Sequence, residues 1–106
     1  MRPVTYAVLW SVNDGPELAG AVALAGSGLE LSGSAAGGPR VRQVFPYTDL
    51  RELYFERLAP RKHTWDPSLV LVTSSGDRVA IGSLQGLGAL HELADEVAGH
   101  REHSAA

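Results

Sequence analysis

The order of its elements constrains the fold of this chain more than any other feature of the sequence. About seven strand-like segments come first, and one amphipathic helix follows near the C-terminal end. A chain of 106 residues has room for one domain and one hydrophobic core. We therefore expect a single, mainly β domain: a seven-stranded, partly open barrel or sandwich of antiparallel strands, capped by a C-terminal helix. Its core is expected over residues 4–99, and the tail 100–106 is expected to be disordered.

Alternation of apolar residues with a period of two predicts most of the strands. Turn residues, chiefly Gly, Asp, Asn, Pro and Ser, separate these segments, and Asp14-Gly15 is expected to supply a positive φ in the first turn. Residues 68–74 are apolar on both faces, as is typical of a central strand. The strands predicted in this way cover residues 4–12, 18–25, 29–34, 41–45, 68–74 and 78–83.

Residues 49–58 fit two structures. A helical stripe is present, and Asp49 with Glu52 resembles a capping box. Aromatic and charged residues also alternate, which places Leu53 and Phe55 inward and Tyr54 outward in a strand. The alternation favours a strand, and the helix remains the alternative.

The last element is predicted as a helix over residues 84–98. Ser83 is its expected N-cap, and Gly99 is its expected C′ residue. Apolar residues recur at helical spacing and predict the buried face: Leu87, Leu90, Leu93, Ala94 and Val97.

These segments resemble the bacterial pleckstrin-homology-like (PH-like) domains. The residues that carry the resemblance are the hairpin around 20–33, the turn Phe45-Pro-Tyr-Thr-Asp-Leu50, the last hairpin around 69–81 and the closing helix. The resemblance implies two orthogonal sheets with one open corner under the helix, and a binding role rather than catalysis. The chain departs from the family in having no Trp in the closing helix. It also has no basic residue in the 13–17 or 26–28 loops, so specific phosphoinositide binding is not expected.

Composition excludes several function classes. The net charge of −3 gives no attraction to nucleic acid, and the absence of cysteine removes disulfides, thiolate catalysis and cysteine zinc sites. No Gly-x-Ser-x-Gly elbow or phosphate loop occurs, so we expect no enzyme and no cofactor. With no secretory leader and no apolar run of about 18 residues, a cytoplasmic protein is expected.

The candidate binding residues cluster after the fifth strand. A local basic group can form a rim for an acidic partner, or an ordinary solvated loop. The aromatic residue in that loop can be an exposed anchor, or a lid over the barrel end. Tyr54, on an outer strand face, is a further interface candidate. The loop residues concerned are Arg57, Arg61, Lys62, His63 and Trp65.

Three functions remain open from the sequence. The first is a protein-interaction module that binds an unidentified protein or forms a homodimer, by strand addition or through a groove beside the helix. The second is weak peripheral binding to an anionic membrane through the basic loop. The third is small-ligand binding in a pocket at the barrel mouth, for which the alanines of the second strand would leave room.

Overall fold

The structure, a computed structural model, describes residues 4–13, 15–56 and 68–105. Seven strands and one long helix follow one another in the predicted order, with a single 3₁₀ turn between the fourth and fifth strands. The elements are β1 (Val4–Val12), β2 (Leu18–Leu24), β3 (Gly28–Ser34), β4 (Arg40–Pro46), the 3₁₀ turn (Tyr47–Asp49), β5 (Leu50–Glu56), β6 (Ser68–Thr73), β7 (Arg78–Ser83) and α1 (Leu87–Ala105).

All neighbouring strands are antiparallel, in the order β4-β3-β2-β1-β7-β6-β5. β1 therefore lies at the middle of the sheet, paired with β2 on one side and with β7 on the other. The sheet curls into a half-barrel, and α1 packs against the 3₁₀ turn and against β5, β6 and β7. The predicted fold class, a mainly β, partly open barrel of seven antiparallel strands capped by one C-terminal helix, is confirmed. Its strands are hydrogen-bonded in one continuous, curled sheet, where the resemblance implied two.

The core lies between the concave face of the sheet and α1. Alternate residues of β1, namely Tyr6, Val8 and Trp10, are buried on this face, as their spacing predicts. Residues of the helix complete the core, since a curled sheet leaves an apolar concave face that needs cover. The helical members are Leu90, Leu93, Ala94 and Val97.

Trp10 is fully buried and is held by a hydrogen bond that its indole N–H donates to the carbonyl oxygen of Ser32, at 3.0 Å. It lies close to Gly33, which faces Gly20 across β2 and β3. A Cβ on Gly33 would lie 3.1 Å from the Trp10 indole nitrogen. The missing side chains therefore let the indole approach the backbone of β3.

The turn after β1 is fixed by Asn13, which has a φ of 52°. The positive φ was expected at Asp14-Gly15, of which Asp14 lies outside the described residues and Gly15 does not have one. Asn tolerates this conformation because its short side chain forms local hydrogen bonds. Its side chain donates to the Asp77 carboxylate at 2.9 Å and accepts from the Arg78 backbone N–H at 2.9 Å. The two turns at this end of the sheet are therefore tied together.

The start of α1 differs from the prediction. The helix begins at Leu87 rather than at Leu84, and Ser83 is not its N-cap. The Leu84 backbone N–H donates to the carbonyl oxygen of Ala7 at 3.0 Å, so this segment continues the pairing with β1. The Ser83 hydroxyl accepts from the Gln85 backbone N–H at 2.9 Å, within the turn that precedes the helix.

The end of α1 also differs. The helix was expected to stop near Ala98 with Gly99 at its C′ position, but it continues through Gly99 to Ala105. Residues 100–105, expected to be a frayed tail, are therefore helical. Gly costs about 1 kcal/mol of helix propensity relative to Ala. Contacts of His100 with the 3₁₀ turn and of Arg101 with β5, described below, offset that cost.

The ambiguous segment is a strand. β5 pairs with β6 from Leu50 to Glu56, with a bulge at Arg51 between Leu50 and Glu52. Among the described residues, no helix is long and apolar enough to span a membrane.

Candidate functional site

Five of the six candidate binding residues lie outside the described residues. These are Arg57, Arg61, Lys62, His63 and Trp65, which fall within 57–67. The basic rim therefore remains a prediction. So do the two alternatives for Trp65, an exposed anchor or a lid over the barrel end. Only Tyr54 can be placed.

Tyr54 lies on the outer face of β5, as predicted, and is 37% exposed. Its hydroxyl accepts a hydrogen bond from the Arg78 guanidinium at 3.0 Å, and the same guanidinium nitrogen lies 2.9 Å from the Glu56 carboxylate. The hydrogen bond to Tyr54 is the main cause that raises the pKa of Arg78, and the Glu56 carboxylate adds to it. Tyr54 is therefore a fixed member of a polar cluster on the sheet surface and is partly exposed to solvent.

A more apolar surface lies where α1 runs beside β5. The ring of Phe55 contacts the ring of His91, with centroids 4.7 Å apart and the planes tilted by 43°. Leu87, one helical turn before His91, is 45% exposed, and Phe55 is 37% exposed. Phe55, Leu87 and His91 form what we call the α1–β5 patch. Leu84, just before the helix, adds a further exposed side chain, at 54%.

The exposure of Phe55 and Leu87 was not predicted from the sequence. Phe55 was placed inward by the alternation in β5, and Leu87 was assigned to the buried stripe of the helix. Both residues lie at the ends of their elements, where the sheet and the helix no longer cover an inward-facing side chain. Large apolar residues at the end of an edge strand and in the first turn of a packed helix were the available signal.

Three contacts hold α1 in place along its length. The Tyr6 hydroxyl donates to the Glu92 carboxylate at 3.1 Å, and His100 stacks on Tyr47 with centroids 4.7 Å apart and an angle of 5°. The Arg101 guanidinium donates to the carbonyl oxygen of Arg51 at 2.6 Å. The patch is therefore carried by a helix that is anchored to β1, the 3₁₀ turn and β5.

Two phenols beneath α1 have raised pKa values. Burial is the main cause that raises the pKa of Tyr6 to about 12, and the hydrogen bond to Glu92 acts in the same direction. Burial likewise raises the pKa of Tyr47, with a smaller contribution from the Glu96 carboxylate. Both phenols favour the neutral form in the folded protein, in which Tyr47 donates to the carbonyl oxygen of Ala25 at 2.7 Å.

A cavity of about 320 Å³ opens at the other end of α1, where the helix meets the corner between β4 and β5. We call it the corner pocket. The Leu50 side chain also borders it. Its other lining residues are Tyr47, Thr48, Asp49, Arg51, Ser74 and Arg101. The alanines of β2, which were expected to leave room for a pocket at the barrel mouth, do not line the corner pocket. Ala19, Ala21 and Ala23 lie on the convex face of the sheet, away from the core.

The sheet has two edges in the described part of the chain, β4 and β5. On β4 the exposed residues include Val44, at 57%, and Arg42, which forms an ion pair with Glu30 at 2.6 Å. Charged side chains on an edge strand oppose uncontrolled strand pairing. The edge of β5 has more exposed aromatic surface, from Tyr54 and Phe55, and lies next to the anchored helix.

Among the described residues, no group of three His, Asp or Glu side chains is placed to hold a metal ion. No protein-family model matches this chain, and no curated protein matches it.

Proposed function

We propose that this protein is a non-catalytic PH-like interaction module that binds another protein through the α1–β5 patch and the adjoining edge of β5. The observation that carries the proposal is the placement of exposed aromatic and aliphatic side chains beside the outer edge of β5, which pairs with no strand of the described residues. An extended partner segment can pair with such an edge through its backbone and insert side chains next to it. Aromatic residues at a rigid surface are common anchors of protein interfaces.

The proposal agrees with the resemblance to PH-like domains, which implies a binding role. The strand order and the closing helix agree with a PH-like fold. Membrane binding through the basic loop would use residues outside the described ranges, and no described contact favours it.

Site-specific photo-crosslinking tests the proposal. A benzophenone amino acid replaces Leu87 in one variant and Val44 in a matched control, because both residues are exposed and Val44 lies on β4 at the opposite edge of the sheet. Irradiation in host cells followed by mass spectrometry should give one dominant product from position 87 and not from position 44. Light scattering on the purified protein then separates a second copy of this chain from a different partner.

Phe55→Ser, added to the protein that carries the crosslinker at position 87, should remove the crosslinked product. The comparison holds provided that the circular dichroism spectrum is unchanged. Equal labelling from positions 87 and 44, or labelling at 87 that survives Phe55→Ser, would reject this surface as the binding site. A product whose mass is twice that of the chain would identify the partner as a second copy.

A further inference from the structure

The corner pocket combines shape and charge in a way that the proposed interaction surface does not use. Its volume of about 320 Å³ is roughly ten times the ~30 Å³ share of one water in the liquid, so a small polyatomic group fits inside. Four parts of the chain form its wall: the 3₁₀ turn, the start of β5, the β6–β7 turn and the last turns of α1.

Two arginines from different elements line this pocket. Arg51 occupies the bulge of β5, and bulges commonly redirect a side chain beside a functional site. Arg101 comes from α1, where its bond to the Arg51 carbonyl oxygen fixes the side chain and uses one of five N–H donors. The remaining donors of both groups are available to an acceptor with several oxygens.

Carboxylates also lie around the pocket: burial raises the pKa of Tyr47 in its wall, and the Glu96 carboxylate is close enough to add to this effect. Asp49 is the acidic residue that lines the pocket, and its carboxylate already accepts a hydrogen bond from the Ser74 hydroxyl. The Ser74 backbone N–H also donates to the Asp49 carbonyl oxygen at 2.8 Å, which fixes this wall. Glu52 lies 3.6 Å from Arg51, but their side chains are 53% and 64% exposed, and such surface pairs contribute little.

We propose that the corner pocket is a binding site for a phosphate group, held by Arg51 and Arg101. A guanidinium pairs with phosphate oxygens through two parallel hydrogen bonds, and the tetrahedral anion presents oxygens to two such groups at once. The Thr48 hydroxyl, at the rim, is an additional donor. The site is independent of the α1–β5 patch and stands whether or not that patch binds a protein.

Two-dimensional ¹H–¹⁵N NMR of the full chain provides the test, with inorganic phosphate and O-phospho-L-serine as probes and sodium chloride at matched ionic strength as the blank. Both probes should shift the amide signals of residues 48–52 and 74–76 in a saturable manner, and chloride should not. A lower Kd for phosphoserine than for inorganic phosphate would identify the ligand as an esterified phosphate. Equal Kd values would identify it as the free ion.

Variants decide whether the arginines are responsible. Arg51→Gln and Arg101→Gln should each weaken phosphate binding at least about tenfold, because a charge-assisted hydrogen bond is lost. Arg101→Lys should weaken it less, since the charge remains. The control Arg42→Gln removes an exposed, ion-paired arginine on β4 and should leave the affinity unchanged. Unsaturable shifts, or equal losses in the Arg42→Gln control, would overturn the proposal.

Discussion

The Gly20–Gly33 pair makes a sharp test of how the core is built. An alanine at Gly33 would place its Cβ 2.7 Å from the carbonyl oxygen of Ala19 and 3.1 Å from the Trp10 indole nitrogen. The first distance is too short for any real contact and involves backbone, so β2 and β3 must separate. The second distance crowds the Trp10 indole nitrogen and disturbs the hydrogen bond that it donates to the carbonyl oxygen of Ser32.

Overpacking of a core costs about 1–3 kcal/mol, and loss of the indole hydrogen bond adds about 1 kcal/mol. Replacing Gly by Ala also restricts the unfolded chain, which returns about 0.4–1 kcal/mol. We therefore expect Gly33→Ala to lower the free energy of unfolding by about 2–3 kcal/mol. For a domain of this size that shift corresponds to a fall in Tm of roughly 10–20 °C.

Urea unfolding followed by tryptophan fluorescence measures this free energy. The matched control is Gly26→Ala, in the β2–β3 turn, where an added Cβ would meet nothing within 4 Å. The control should be neutral or slightly stabilising. If Gly33→Ala is as stable as Gly26→Ala, the close approach of Trp10 to β3 is not a constraint on the fold.

Three further predictions concern the contacts that fix the turns and the helix. Because the folded state raises the pKa of Tyr6 from 10.0 to about 12, stability that is present below pH 10 should be lost as the pH rises through 12, and Tyr6→Phe should flatten that loss in pH-dependent urea titrations. Asn13→Ala should lower the free energy of unfolding by about 1–3 kcal/mol, because it strains the left-handed backbone and removes the side-chain hydrogen bonds to Asp77 and Arg78. Asn13→Gly removes the same hydrogen bonds but tolerates the backbone conformation, so it should cost less. Equal losses from the two variants would refute this reasoning. Val97→Ala, at a fully buried position between α1 and the sheet, should cost about 1–3 kcal/mol in the same assay, and a loss below about 0.5 kcal/mol would show that α1 is not packed as described.

The strands were predictable because their signals are local. Alternation identified β1 and β7 with the bounds that the structure gives them, and it decided correctly for a strand at β5. At β5 the outer residues face water, so polar and aromatic residues alternate there as on any half-exposed strand. The 3₁₀ turn Tyr47–Asp49 lies within the turn at 45–50 that the resemblance indicated. The residues that resembled a capping box do not start a helix, because Asp49 ends this turn and Glu52 lies in β5.

The ends of α1 were not predictable from local signals. Its start depends on a hydrogen bond from Leu84 to Ala7, and its end depends on contacts of His100 and Arg101 with residues about 50 positions earlier. Pairings at that separation leave no trace in helical periodicity or capping residues. The α1–β5 patch and the corner pocket depend on the same long-range contacts, so sequence reasoning missed them as well.

The central position of β1 has a consequence for the synthesis of this protein. β1 to β4 form a meander of adjacent hairpins that can assemble as soon as that part of the chain has emerged, but the other edge of β1 must wait for β7, where Val8 pairs with Ser83. Closing this contact spans roughly 70 residues, so we expect it to be the slow step of folding. Until then the apolar residues of β1 and an unpaired strand edge face the surroundings. A chain interrupted before β7 should therefore aggregate or be captured by chaperones.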